Sequence, residues 1–320
     1  MLPTGGKLNS VFRAVLCTGM ILVAVTASCV ASSIAIGAEQ TETVPFRAET
    51  HWVEELGART RLLLADTAHD RRPFLAGVEM ELAPGWHTYW RKPGDSGTAA
   101  VFGWSKSDNI EYAHVRWPAP ARFYKPGDVT YGYDNHVVWP VLVAPREAGK
   151  PVMLHLSLFY AACADICVPH EAELELNIPA AKKTEDGFAA APETDHADAI
   201  RAALARVPVT PKNPGLVKAA LKGEGAIRQL DVKLAEKTSK PPMLVVEGPY
   251  YAWFGVPAVS NEADGVRYAV PVKVDPGKSL KGETLTLTLS RGDKGGYETE
   301  YTIPGSKAAA EPKPGAEAGH

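Results

Sequence analysis

Apolar and polar residues alternate with a period of two through much of residues 45–178. Val78, Met80 and Leu82 are separated by Glu79 and Glu81, and Leu174, Leu176 and Ile178 by Glu173, Glu175 and Asn177. Successive side chains of an extended chain point to opposite faces, so this pattern predicts strands with one face in a core and the other in water. It recurs in Val152, Leu154, Leu156, Leu158 and Tyr160, and in Val137, Trp139, Val141 and Val143. Pro140 within the last run has no N–H to give a neighbour and predicts an edge strand or a bulge. Turns rich in Gly, Pro and Asp, such as Lys92-Pro93-Gly94-Asp95 and Lys125-Pro126-Gly127-Asp128, separate the runs. The pattern predicts an all-β fold whose first domain, residues 45–180, is an antiparallel β-sandwich.

The alternation lapses over residues 181–196, where Ala, Pro, Lys and Glu predict a linker. Ile200, Leu204 and Val207 then recur at helical spacing within 197–207, and Pro208 ends the run. Strand alternation resumes at Leu230, Val232 and Leu234, at Val270, Val272 and Val274, and at Leu285, Leu287 and Leu289. Residues 197–304 are therefore expected to form the short helix plus a second, smaller β domain. The Ala, Pro, Gly and Glu of residues 305–320 offer nothing to bury, which predicts a disordered tail.

Composition narrows the compartment and the partners. With 45% hydrophobic and 22% charged residues in 320, the chain has enough apolar material for two cores and is not a disordered protein. A net charge of -3 excludes a basic field for nucleic acid. Lys7 and Arg13 precede the apolar run from Ala14 to Ala27, and small residues lead to Ala38. This reads as a signal peptide over residues 1–38, directing export to the periplasm. The alternatives are a retained membrane anchor, for which the run is short, or lipidation at Cys29, where Thr26 departs from the usual aliphatic residue. Removing residues 1–38 leaves Cys163 and Cys167 as the only cysteines.

That pair lies where the alternation of residues 152–160 ends, on a strand-to-strand connection. As a staple it would do little, because closing about five residues stabilises by roughly 2 kcal/mol in the chain-entropy model, against about 4.7 for a 100-residue loop. A tight loop suits a redox pair better, since attack by one thiolate on a partner must be followed by attack of the neighbouring thiol to release the mixed disulfide. Asp165 between the sulfurs is a candidate to accept or return a proton; the alternative is that it orders the turn. A competing use of the sulfurs is Cu(I) or Zn(II) binding with His155 or His170, but one pair without further close ligands is a weak metal signature, and no metal site is expected. No Gly-rich phosphate loop, nucleophile elbow or paired-His motif is present, so no cofactor is expected either. His87, His114 and His136 are assigned surface or packing roles.

The segment from Cys163 to Glu171 (CADICVPHE), with Gly85 to Lys92 (GWHTYWRK) and Phe123-Tyr124, resembles the N-terminal periplasmic domain of the thiol:disulfide interchange protein DsbD family, with a nearer likeness to its ScsB (suppressor of copper sensitivity) members. The resemblance implies an immunoglobulin-like sandwich and a protein-disulfide reductase module. Such a module takes electrons from a membrane-borne partner and passes them to oxidised periplasmic proteins, thioredoxin-like ones included, in settings such as cytochrome c biogenesis and copper tolerance. It implies Cys167 as the attacking and Cys163 as the resolving thiol. Phe123 and Tyr124 match a cap loop that shields the sulfurs, and Tyr89 matches an aromatic position beside them; core packing is the other reading for Phe123. Trp86, Trp90 and Trp104 are expected to be packing residues. Ala121 and Arg122 replace acidic residues of the family pattern, which implies a lowered thiol pKa. The family's membrane and thioredoxin-like domains have no counterpart here, so the electron donor is expected to be a separate protein. The alternatives are a binding module with a static disulfide, or a copper-binding protein.

Overall fold

In the computed structural model, the described residues are 46–66, 73–180, 183–185, 187–188, 193–223 and 227–305. The expected signal peptide, part of the expected linker and the expected disordered tail from residue 306 lie outside them. Eleven strands build the first half: β1 (Val53–Glu55), β2 (Ala58–Leu64), β3 (Phe74–Leu82), β4 (His87–Gly94), β5 (Val101–Gly103), β6 (Ile110–Val115), β7 (Ala121–Lys125), β8 (Asp128–Asp134), β9 (His136–Pro145), β10 (Val152–Cys163) and β11 (Cys167–Ile178). One sheet runs β1-β2-β3-β9-β6, and the other β11-β10-β4-β8-β7 with β5 also on β10. All pairings are antiparallel, and the two sheets form the expected immunoglobulin-like sandwich.

The alternating residues read from the sequence supply its core. Val78, Met80, Trp139, Val141, Leu154, Leu156, Leu158, Tyr160, Leu174 and Leu176 are all buried in one cluster with Trp90. Trp86 and Trp104 pack on its margin. β9 is an interior strand, and its register shift with β6 lies at Ile110/Tyr112, so Pro140 marks neither the edge nor the bulge that it predicted. Pro140 is tolerated because β6 ends its ladder at Val115↔Val141, so the missing N–H falls just past that ladder while Arg116 N still donates to Pro140 O (2.7 Å).

After a two-stranded ribbon, β12 (Lys183–Thr184) and β13 (Gly187–Phe188), comes helix α1 (Ala197–Ala205). It ends two residues short of the expected limit, and its buried side is Ala197, Ile200 and Ala203; Leu204 is exposed. Although its sequence position groups it with the second half, the helix lies on the first sheet, sharing a small core with Leu63, Ala65 and Val138.

The remaining strands are β14 (Val217–Lys222), β15 (Ile227–Leu234), β16 (Met243–Glu247), β17 (Ala252–Phe254), β18 (Ala258–Glu262), β19 (Gly265–Val274), β20 (Thr284–Ser290) and β21 (Gly296–Thr302). They make sheets β14-β15-β19-β17, with β18 also on β19, and β16-β20-β21, around the predicted Leu and Val stripes. β16 joins the halves: Leu244 and Val246 enter the second core, while Val245, between them, enters the first. Its uninterrupted apolar run is what a strand buried on both faces requires.

The second ligature is ionic. Arg91 on β4 donates to Glu247 of β16 (Nη2 to Oε1, 2.5 Å) and to Glu298 of β21, and its guanidinium covers Trp90. All three charged groups are largely removed from solvent, so removing Arg91 leaves two carboxylates without their shared cation. Arg91→Met is expected to cost about 2 kcal/mol, below the 3–5 of a fully buried pair because the groups are partly wet. Urea unfolding of the two proteins checks this.

Candidate functional site

β10 and β11 form a long hairpin whose register closes on Cys163↔Cys167, so the two cysteines are direct cross-strand partners around Ala164-Asp165-Ile166. They are joined as a disulfide. The turn is ordered by the backbone, with Ala164 N donating to Ile166 O (3.0 Å). Asp165 is exposed and makes no hydrogen bond or ion pair among the described residues. The two cysteines differ sharply: Cys163 is 1% exposed, whereas Cys167 is exposed beside Ile166, itself 65% exposed.

β4 provides the floor. Its first residues pair with the end of β10, Thr88 with Ala162 and His87 with Cys163, and Thr88 Oγ1 donates to Ala161 O (2.8 Å). Strand alternation then sets His87 and Tyr89 on one face. Tyr89, Ala161 and Cys163 form a buried cluster of their own, with the Tyr89 hydroxyl 3.0 Å from Cys163 Sγ and 3.3 Å from Cys167 Sγ. A disulfide sulfur carries no proton, so the phenol donates. Burial and then the nearby Asp128 carboxylate push the Tyr89 pKa up, which keeps that donor protonated.

The β7–β8 hairpin forms a wall. Phe123 stacks on the His87 ring (centroids 4.8 Å apart), and His87 meets Tyr89 edge to face (5.4 Å). Lys125 Nζ donates to Ala164 O (3.2 Å), tying the hairpin to the cysteine turn. Phe123 is thus half-buried on an aromatic stack beside the pair and outside the main core, while Tyr124 is 73% exposed on the same hairpin. Burial, then Lys125, lower the His87 pKa against the opposing pull of Asp134. His87 is a neutral ring packed against the site, a role its sequence position gave no sign of beyond sharing the face of Tyr89. Arg122 is exposed on β7.

Two glycines complete the fit. A Cβ on Gly132 would stand 1.9 Å from Thr88 O, and one on Gly97, at φ +92°, 2.2 Å from Tyr89 Cε1. Both positions let backbone lie against β4 where a side chain would push it away. Their importance depends on tertiary approach and has no local sequence signal.

No group of three or more His, Cys, Asp or Glu close enough to hold a metal occurs among the described residues. His170 is engaged by Leu56 O (3.1 Å) and Glu55, and His155 by Glu173 and Glu175.

Residues 59–179 match the family model described as thiol:disulfide interchange protein DsbD, N-terminal. The first sandwich is of the DsbD N-terminal type. Residues 203–305 match a domain family of unknown function. Among solved structures, the chain is similar to the N-terminal periplasmic domain of ScsB from Proteus mirabilis, with 24% identity and a TM-score of 0.62, over 81% of this chain and 99% of that one. At that identity the likeness is one of fold. No curated protein matches the chain. The sandwich that matches this model carries the Cys163–Cys167 disulfide at the end of its β10–β11 hairpin. No helix among the described residues is long and apolar enough to cross a membrane.

Two outcomes follow from the geometry. Tyr89→Phe removes the donor to both sulfurs; a hydrogen bond to a charged acceptor is worth about 1.5–3 kcal/mol, so the pKa of the reduced Cys167 thiol is expected to rise by about one unit or more. Thiolate absorbance against pH measures it. For His87 the folded pKa lies below the unfolded one, so the folded state binds fewer protons and stability is lost as pH falls through about 6.5. Urea titrations at pH 7 and pH 5 should show a smaller acid loss in His87→Phe than in the natural protein.

Proposed function

We propose that the protein is a periplasmic dithiol carrier, taking two electrons from a separate membrane-borne dithiol and passing them to disulfides of envelope proteins, thioredoxin-like proteins among them. The carrying observation is the asymmetry of the pair: an exposed Cys167 that a partner can reach and a Cys163 that it cannot. The ScsB domain that the chain resembles is periplasmic, which supports the compartment.

In the reduced protein the Cys167 thiolate attacks one sulfur of a partner disulfide. The Cys167–partner bond forms, and the other partner sulfur leaves as a thiolate that takes up a proton. Cys163 then gives up its proton and attacks Cys167 Sγ; the intramolecular disulfide forms, and the partner departs as a dithiol. The partner gains the two electrons that this pair loses, and the membrane dithiol restores them by the same exchange in reverse. Tyr89 donates to whichever sulfur bears charge. Asp165, exposed between the cysteines, is assigned the return of protons, and the hairpin of Phe123 and Tyr124 acts as the gate over the pair.

Cys163→Ser leaves Cys167 able to attack but nothing to resolve the product. Cells expressing it are expected to accumulate mixed disulfides through Cys167, seen on non-reducing gels and lost in the double variant. If nothing is trapped and the pair has a reduction potential well below about -300 mV, it is a static disulfide and the protein a binding module.

A further inference from the structure

Trp253 is an unusual residue for the margin of a β unit. Its indole is 42% exposed, so apolar burial does not account for its placement. It is nevertheless held on both sides. Lys273 Nζ lies over the ring (5.1 Å), and a Cβ on Gly255 would stand 2.3 Å from Trp253 Cη2, so the chain leaves room for the indole there. Its Nε1 reaches across a cleft of about 600 Å³ between the two β units and donates to Asp95 Oδ1 (2.8 Å). Close packing does not impose this contact, because the cleft around it is open.

Asp95 is no isolated acceptor. Its other oxygen takes the Val129 N–H (3.0 Å), its own N–H goes to Val129 O (2.9 Å), and the next residue, Ser96, donates to Asp128 Oδ2 (2.7 Å). The 94–97 loop is thereby fastened to the start of β8, and it ends at Gly97, whose Cβ position falls 2.3 Å from Tyr89 Cζ, the carbon bearing the hydroxyl. A loop in that position fixes where the hydroxyl points.

Resting on the exchange reading above, we propose that Trp253 is a positioning residue for the sulfur pair: through Asp95 it holds the 94–97 loop against the ring of Tyr89 and so keeps the Tyr89 hydroxyl on both sulfurs. The second β unit then has a part in the chemistry of the first. Its occupant of the cleft sets how well the thiolate of Cys167 is stabilised.

The test is the rate of alkylation of the reduced protein by iodoacetamide as a function of pH, which reads the Cys167 thiolate. Trp253→Phe keeps the ring and removes the N–H; it is expected to lower the rate at pH 7 about threefold, a rise of about half a pH unit in the thiol pKa. Asp95→Ser, which still offers an oxygen to Val129 N but cannot span the cleft, is expected to shift it the same way. In a Tyr89→Phe background Trp253→Phe is expected to change nothing further, because residues acting through one path are not additive. Asp293→Ala, which removes the separate contact of Asp293 with Arg206, is the control and should leave the profile unchanged. An unaltered profile in folded Trp253→Phe, or an equal shift with and without Tyr89, overturns the proposal while leaving the Cys163→Ser trap standing. Absence of any trapped species removes the exchange itself and this inference with it.

Discussion

Strand β4 is held at both ends by partners it cannot exchange, and the site exists because of that. At its start the backbone pairs with the last residues of β10, which puts Tyr89 under the sulfurs. Further along, Arg91 is gripped by Glu247 and Glu298, and the strand leaves into a loop fastened at Asp95. Between those fixed points β4 breaks register with β8, between Tyr89 and Gly94. Fixing β4 from both sides converts a flexible phenol into a preorganised donor, which is how a protein stabilises charge that appears only during reaction.

The same anchoring explains why the pair is suited to exchange rather than to holding the fold together. The hairpin β10–β11 is already paired along its whole length, so a bond across its closing turn adds little that the ladder does not supply. What the location does add is an end: one sulfur faces the buried cluster of Tyr89 and Ala161, while the other faces water. On the exchange reading, a partner would meet the exposed Cys167 first, with the buried Cys163 directly across the hairpin from it.

Much of this was legible in the sequence, and the limits have physical reasons. Period-two alternation reports a strand with one dry face, so Val78, Leu156, Leu174, Val270 and Leu287 were readable as core. The cysteine pair was readable because its spacing is local. Strand β16 was not, since a strand buried on both faces shows no alternation. Pro140 misled because its edge is local, made by where β6 stops and not by the position of β9 in its sheet. In the helix, three-to-four spacing pointed to Leu204, yet the turn that meets Leu63 and Val138 admits only the small Ala203. His87, Gly97, Asp95 and Trp253 were invisible for a deeper reason: each acts through a neighbour from a different part of the chain, and a single residue type carries no record of such an approach.

This last group is also where the two β units cease to be independent. Two sandwiches joined by a linker alone would keep separate chemistries, and a substitution in one would be silent in the other. Here Val245 fills the first core from a strand of the second half, Arg91 is neutralised by carboxylates of that half, and Ser290 Oγ donates to Pro120 O (2.8 Å) just ahead of the hairpin that carries Phe123. The ties converge on both walls of the sulfur site, β4 on one side and β7 on the other. Packed and hydrogen-bonded groups thus run from the second unit to the strand that carries Tyr89. On the exchange reading the direction of any such influence follows from chemistry: loosening the donor would raise the thiol pKa of a reduced Cys167, and tightening it would favour the thiolate.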